Sequence, residues 1–376
     1  MKSKKRETLT SIIIFFVIIA IIATAIVLGL IFLQEFLKEE DTVAEDFKYN
    51  ATNQETKAQE EIETPEIVEN PINEINSTEV KNVDYSNVNV DKFFYNQLND
   101  YSKTIYKAFE SNKENMKTGT YKIELGTSFS SLLSQSNGQD LLGDYYQSAI
   151  EAYTYDNPDV FYLSPNKMFL NMETTTQGKK VTYNVYINSG SEANYLVDGY
   201  NSKQDIDNAI SQIEQVKNEI LSRRTGNTYN DIKLVHDYLV DNVEYDSSIS
   251  KPNIYDIYGA LVRKESVCEG YARSFKYLMD ELNIPCTLVI GTATNSQGQT
   301  ENHAWNYVQI NNNWYAVDTT WDDPIIIGNG TVSESIKYRY FLKGSSEINA
   351  DHFPSGKFTE NGMKFSYPNL NSNNYE

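Results

Sequence analysis

The chain has 376 residues, with 32 lysines and arginines against 52 aspartates and glutamates, a formal net charge of −20. That acidic balance excludes a nucleic-acid binder, because phosphate binding relies on a basic face, and two cysteines in all exclude a disulfide-stapled scaffold. With 40% hydrophobic residues there is material for one or two sizeable cores.

At the N-terminus Lys2, Lys4, Lys5 and Arg6 precede a nearly unbroken apolar run over residues 12–33. About 22 residues of helix are roughly 33 Å long, which matches a bilayer core. Residues 1–11 are therefore expected as a cytoplasmic tail, 12–33 as a single transmembrane helix, and everything after it outside the cell membrane. The run exceeds the ~7–15 residues of a signal-peptide core, and no small-x-small cleavage site ends it, so an uncleaved anchor is favoured. Residues 34–90 are rich in Glu, Asn, Thr and Gln and predict an acidic, disordered linker. Pro65 and Pro71 stiffen it.

Residues 91–225 read as an α+β subdomain. Phe93, Phe94, Leu98, Ile105, Tyr106 and Phe109 recur at helical spacing. A second helix is predicted over 140–155, ended by Asn157-Pro158. Phe161-Tyr162-Leu163 follows as a short buried strand, and the alternation of Val181 to Ile187 predicts another. Residues 203–222 form a long amphipathic helix with Ile206, Ile210, Ile213, Val216 and Ile220 on one face. No catalytic constellation stands out in this region, which suits support or substrate recognition.

Residues 226–345 carry the chemistry, and 346–376 read as a C-terminal tail. A helix over 232–243 contains His236. Cys268 opens another helix, whose buried face is Ala272, Phe275, Leu278, Met279 and Leu282 and which Asn283 and Pro285 stop. Strands are predicted over 286–292, 303–310 and 313–317, with Asn311-Asn312 as a tight hairpin turn between the last two. That hairpin brings His303 and Asp318 together, since antiparallel neighbours lie about 5 Å apart.

Each of these three residues has a physical task. A helix N-terminus depresses a cysteine pKa, an adjacent imidazole takes the thiol proton, and a carboxylate on the far ring nitrogen fixes its tautomer. Cys268, His303 and Asp318 are thus the candidate catalytic residues. The oxyanion needs donors; the backbone N–H of Cys268 is one, and Tyr258 is the candidate side-chain donor. Trp305 and Trp321 are expected as pocket walls that keep the pair dry.

Ser266-Val-Cys-Glu-Gly-Tyr-Ala-Arg273 resembles the nucleophile motif of bacterial transglutaminase-like domains. Asn302-His-Ala-Trp-Asn306 is similar to their histidine motif, and Trp314-Tyr-Ala-Val-Asp-Thr-Thr-Trp-Asp-Asp-Pro324 to their acid motif. His236-Asp-Tyr-Leu and Tyr245-Asp246 resemble the helix that precedes the domain. The resemblance covers about residues 230 to 325. It implies a papain-like α+β core, in which a helix-borne cysteine packs on an antiparallel sheet carrying histidine and aspartate. It also implies a family that includes transglutaminases, peptidases, amidases and inactive members. The function expected is that of a membrane-anchored, extracytoplasmic cysteine enzyme. It would act on amide bonds through a thioester, by hydrolysis or transamidation, on a protein or peptide substrate such as a cell-wall peptide. The alternative is an inactive surface module binding peptides or glycans through its 28 tyrosines.

Bland roles are expected for the remaining candidates: His236 as a satisfied helix histidine, His352 as an exposed residue of the tail, and Cys286 as core without a disulfide to Cys268. Asp322 and Asp323 read as a turn. Two adjacent carboxylates make a poor calcium cage, so no metal or other cofactor is expected.

Overall fold

The computed structural model describes residues 49–50, 83–177, 180–249, 251–323, 334–359 and 362–376. The membrane anchor expected over 12–33 and most of the 34–90 linker lie outside them. Among the described residues no helix is long and apolar enough to cross a membrane.

The architecture is α+β. In chain order the main elements are β1 (Tyr49–Asn50), α1 (Asp100–Ser111), β2 (Ile123–Gly126), α2 (Gly138–Asp156), β3 (Phe169–Gln177), β4 (Lys180–Asn188), α3 (Lys203–Leu221), α4 (Thr228–Asn242), β5 (Glu244–Tyr245), β6 (Glu265–Ser266), α5 (Cys268–Glu281), β7 (Cys286–Thr294), β8 (Thr300–Ile310), β9 (Asn313–Val317) and β10 (His352–Pro354). One antiparallel sheet has the order β1-β3-β4-β2 and a second the order β10-β7-β8-β9; β5 and β6 make a small parallel pair.

Helical spacing from Phe93 to Phe109 does not give one helix. A 3-10 turn at Tyr95–Gln97 comes first, and α1 starts afresh at Asp100. Asn99 is the reason: its side chain accepts the backbone N–H of Ser102 at 2.9 Å and caps the new helix. Phe161-Tyr162-Leu163 is buried as expected but is not a strand. The 3-10 turn Pro158–Val160 leads into it, and only Leu163 makes a β-bridge, to Leu196. The hairpin at Asn311-Asn312 forms as the sequence implies, with φ of 51° and 61°, the left-handed pair that a two-residue turn demands.

One hydrophobic core runs from Phe94 to Phe365 and joins the two regions read as separate. The described residues of 346–376 are no loose tail. β10 adds to the edge of β7, Phe365 is buried in the core, and Phe94 packs on Phe358 and Phe365 with ring centroids 5.4 and 5.1 Å away. Gly291 permits the β10 pairing, because a Cβ there would lie 2.1 Å from the Phe353 carbonyl oxygen.

A buried carboxyl fastens this last segment to α2. Glu151 Oε1 accepts Thr359 Oγ1 at 2.6 Å and Gln147 Nε2 at 2.7 Å, while Oε2 has no partner among the described residues. Burial, only partly offset by those two bonds, raises the Glu151 pKa to about 7. An acid raised in the folded state gives its full stability below its ordinary value of 4.5 and loses it as pH climbs through about 7. Glu151→Gln is therefore expected to remove a decline in unfolding free energy of about 3 kcal/mol across that window. Urea titrations at pH 5 and pH 8 check this; an undiminished decline in the variant refutes it.

Candidate active site

Cys268 is the first residue of α5, and Gly270 seats the opening turn. A Cβ at Gly270 would lie 2.0 Å from Ser266 Oγ and 2.7 Å from the Ile254 carbonyl oxygen. α5 is fixed at both flanks. Arg273, buried, donates to Glu269 Oε1 and to the Thr154 carbonyl at the end of α2, each at 2.8 Å. Asn306 on β8 donates to the Ala272 carbonyl at 2.9 Å. The thiol thus projects from a fourteen-residue helix start, where the dipole favours negative charge.

His303 lies opposite Gly291 on β8 and is buried. Its Nε2–H donates to Asp318 Oδ2 at 2.7 Å, which leaves Nδ1 to face the sulfur. Asp318 follows the end of β9 and is 1% exposed. Its Oδ1 accepts the backbone N–H groups of Thr320 at 2.9 Å and Trp321 at 3.2 Å, so the carboxylate cannot turn. Burial opposes the imidazolium, but the Asp318 charge and hydrogen bond, and the Cys268 thiol within hydrogen-bonding reach, raise the His303 pKa to about 10. Burial likewise opposes the Asp318 carboxylate, and the charge of His303 and bonds from His303 and His352 overcome it, holding Asp318 well below the usual carboxylate range.

The three residues predicted from sequence therefore converge, and Cys268 and His303 line a cleft of about 490 Å³. Tyr155 and Phe358, stacked with centroids 4.0 Å apart, contribute aromatic lining; Tyr245, Ile249, Glu269 and Glu301 also face this space.

Several other expectations are corrected. Tyr258 does not line the cleft: it sits ahead of the π-turn Gly259–Arg263, and its hydroxyl donates to Gln212 Oε1 on α3 at 2.7 Å. Trp305 and Trp321 do not line it either. They pack on the His303 ring, with centroids 6.0 and 5.2 Å away. Trp305 is 1% exposed and shares a face of β8 with His303 through the two-residue strand period. His352 is not exposed: at 1% exposure it donates from Nε2 to Asp318 Oδ2 at 3.0 Å. Pairing of β10 with β7 carries it there, where Pro354 and Gly356 had suggested a free tail.

His236 is satisfied, as read. Nδ1 lies 3.1 Å from Asp237 Oδ1 and Nε2 3.0 Å from Asp322 Oδ2. Asp322 and Asp323 are occupied within the fold, Asp322 also accepting the Tyr340 N–H at 2.8 Å and Asp323 the Tyr271 hydroxyl at 2.6 Å. Both cysteines are free thiols, and burial pushes that of Cys286 far up.

Sequence reasoning also missed Tyr245. Register places it beside Ser266, two residues before Cys268. Burial, and then the neighbouring Cys268 charge, push its hydroxyl up to about 12, so it keeps its proton and can donate. The Tyr245-Asp246 pair that resembles the family pattern was the available signal.

A sulfur at a helix start, an imidazole on an antiparallel strand and a buried carboxylate aligning it define a transglutaminase-like, papain-like arrangement. Residues 214–319 match the transglutaminase-like superfamily, so the chain carries a domain of that kind. It is similar to the kyphoscoliosis peptidase of Mus musculus, 25% identical over 37% of this chain and 23% of the relative. The kyphoscoliosis peptidase of Homo sapiens is 23% identical over 42% of this chain and 24% of its own. The match thus spans about a quarter of these relatives' length. Among solved structures, a TGase is 15% identical, with 45% of this chain and 48% of that one covered and a TM-score of 0.29.

Proposed function

We propose that the protein is a cysteine acyl-transfer enzyme acting on amide bonds of proteins or peptides. The thiolate of Cys268 attacks the carbonyl carbon. His303, held as imidazolium, protonates the departing amine, and a thioester remains on the sulfur. His303 then takes a proton from water or from an acceptor amine, giving hydrolysis or transamidation. Asp318 holds the ring in place. The backbone N–H of Cys268 and the Tyr245 hydroxyl serve the oxyanion in place of Tyr258.

The observation that carries this reading is the buried 2.7 Å bond from His303 Nε2 to Asp318 Oδ2 beside a thiol that opens a helix at the mouth of a cleft. The basic flank and apolar run ending at residue 33 support a single-pass anchor with the site outside the membrane, where surface proteins and cell-wall peptides would be substrates. The reaction as proposed needs no cofactor.

The test is mass spectrometry of peptide mixtures incubated with a primary amine and either the wild type or Cys268→Ala. Wild-type-dependent cleavage, a gain of 1 Da at glutamine, or an amine adduct accompanied by loss of ammonia would each support it and name the branch. Identical spectra for the two proteins across such mixtures count against it.

A further inference from the structure

Asp318 Oδ2 serves two imidazoles. His303 Nε2 lies 2.7 Å away and His352 Nε2 3.0 Å away, the three atoms falling within 4.8 Å of one another. Oδ1 is committed to two backbone N–H groups, so the donors on Oδ2 compete for one oxygen. His352 is itself held firmly. Its Nδ1 lies 2.7 Å from Asp351 Oδ1, Asp351 Oδ2 accepts the Tyr340 hydroxyl at 2.8 Å, and the ring packs on Trp321, Trp305 and Tyr340 with centroids 4.7, 5.1 and 5.1 Å away. The titratable groups facing it are thus His303, Asp318, Asp351 and Tyr340. An ionised carboxylate oxygen can only accept, so Nε2, 3.0 Å from Asp318 Oδ2, faces it as the donor.

We propose that His352 is a positioning residue, a second imidazole that shares the triad carboxylate with His303 and so sets how tightly Asp318 holds the His303 proton. This rests on the enzymatic reading above and deepens it. Hydrogen bonds to a carboxylate spread its charge. With His352 donating, Asp318 grips His303 firmly enough to fix the ring, yet leaves it able to release a proton to the leaving amine. Without that donor the whole charge of Oδ2 falls on His303, which keeps its proton to higher pH. Loss of a merely structural prop would do the opposite, loosening Asp318 and lowering the point at which His303 gives up its proton.

Two variants of similar polarity separate these roles in the full chain. In His352→Gln the amide nitrogen occupies roughly the place of Nε2 and still donates to Asp318. In His352→Asn it occupies that of Nδ1, faces Asp351, and leaves Asp318 with His303 alone. The measurement is the rate of Cys268 alkylation by iodoacetamide between pH 4 and 11, read by peptide mass spectrometry with Cys286 as internal reference. The alkaline limb, where His303 loses its proton, is expected to move up by about one pH unit in His352→Asn, a tenfold change in the proton equilibrium, and by much less in His352→Gln. Limbs that move together, stay put or move down overturn the proposal. Sluggish labelling of Cys268 in the wild type overturns the enzymatic reading and this one with it, whereas fast wild-type labelling with unmoved limbs overturns this one alone. Should the variants not fold, nitrogen-15 histidine spectra of the wild type decide: a protonated His352 Nε2 supports the proposal and an unprotonated one overturns it.

Discussion

Replacing His303 by alanine is expected to slow alkylation of Cys268 at pH 7 by at least about a hundredfold and to leave Cys286 as sluggish as before. The asymmetry follows from where the two thiols lie. Cys286 is buried in β7, where desolvation opposes ionisation, and no imidazole compensates. Cys268 opens α5 beside a ring that stays protonated up to about pH 10, with burial opposed and outweighed by Asp318 and by the sulfur itself. A positioned acid or base contributes typically 10²–10⁴-fold, and the α5 dipole alone supplies far less, about 0.3–1 kcal/mol. Iodoacetamide pulses followed by peptide mapping measure both thiols in one sample. A His303→Ala rate within threefold of wild type would mean that the sulfur owes its reactivity to something other than the ring.

Asp318→Ala should produce the largest loss of stability among substitutions in the cleft region, about 3–5 kcal/mol at pH 6, because it strands buried donors. Four N–H groups converge on this carboxylate, from His303, His352, Thr320 and Trp321, and its removal takes away the acceptor of each. The pH dependence has a definite sign. Asp318 is depressed in the folded state, so its contribution is present above its ordinary value of 3.8 and fades as acid protonates it. His303 is raised, so its share is complete below 6.5 and is lost as pH rises through about 10. The gap between wild type and variant is therefore widest from about pH 4 to 6.5 and narrows on either side. Denaturant titrations across that range measure it, and a gap below 1 kcal/mol at pH 6 would show that the four donors find other partners.

The convergence of Cys268, His303 and Asp318 was legible because its signals are local. A cysteine just ahead of an amphipathic helix, a histidine on a strand and an aspartate after the next strand are each placed by periodicity and by the Asn311-Asn312 turn. The second histidine was not. His352 reaches Asp318 across 34 residues of sequence, from a three-residue strand too short to show alternation and bracketed by residues that signal loops. Tyr245 hid in the same way, in a two-residue strand whose meaning depends on its parallel partner. Tyr258 misled because its distance upstream of the cysteine was the sole criterion; the turn at Gly259 aims it at α3. The tryptophans were rightly grouped with His303, but sequence cannot say which side of a ring a neighbour takes. The helix break at Asn99 was hidden by apolar spacing that continues across it.

The clasp between Glu151 and Thr359, together with the Tyr155–Phe358 stack, bears on how this protein can be dissected and how it diversifies. The segment matching the superfamily ends at residue 319, yet one side of the cleft is assembled from a helix upstream of that segment and a stretch downstream of it. A fragment cut to residues 214–319 would keep Cys268 while discarding Tyr155 and Phe358 from the cleft wall. By the same logic, the shape and chemistry of the cleft wall can change through substitutions upstream or downstream of that segment while Cys268, His303 and Asp318 stay untouched.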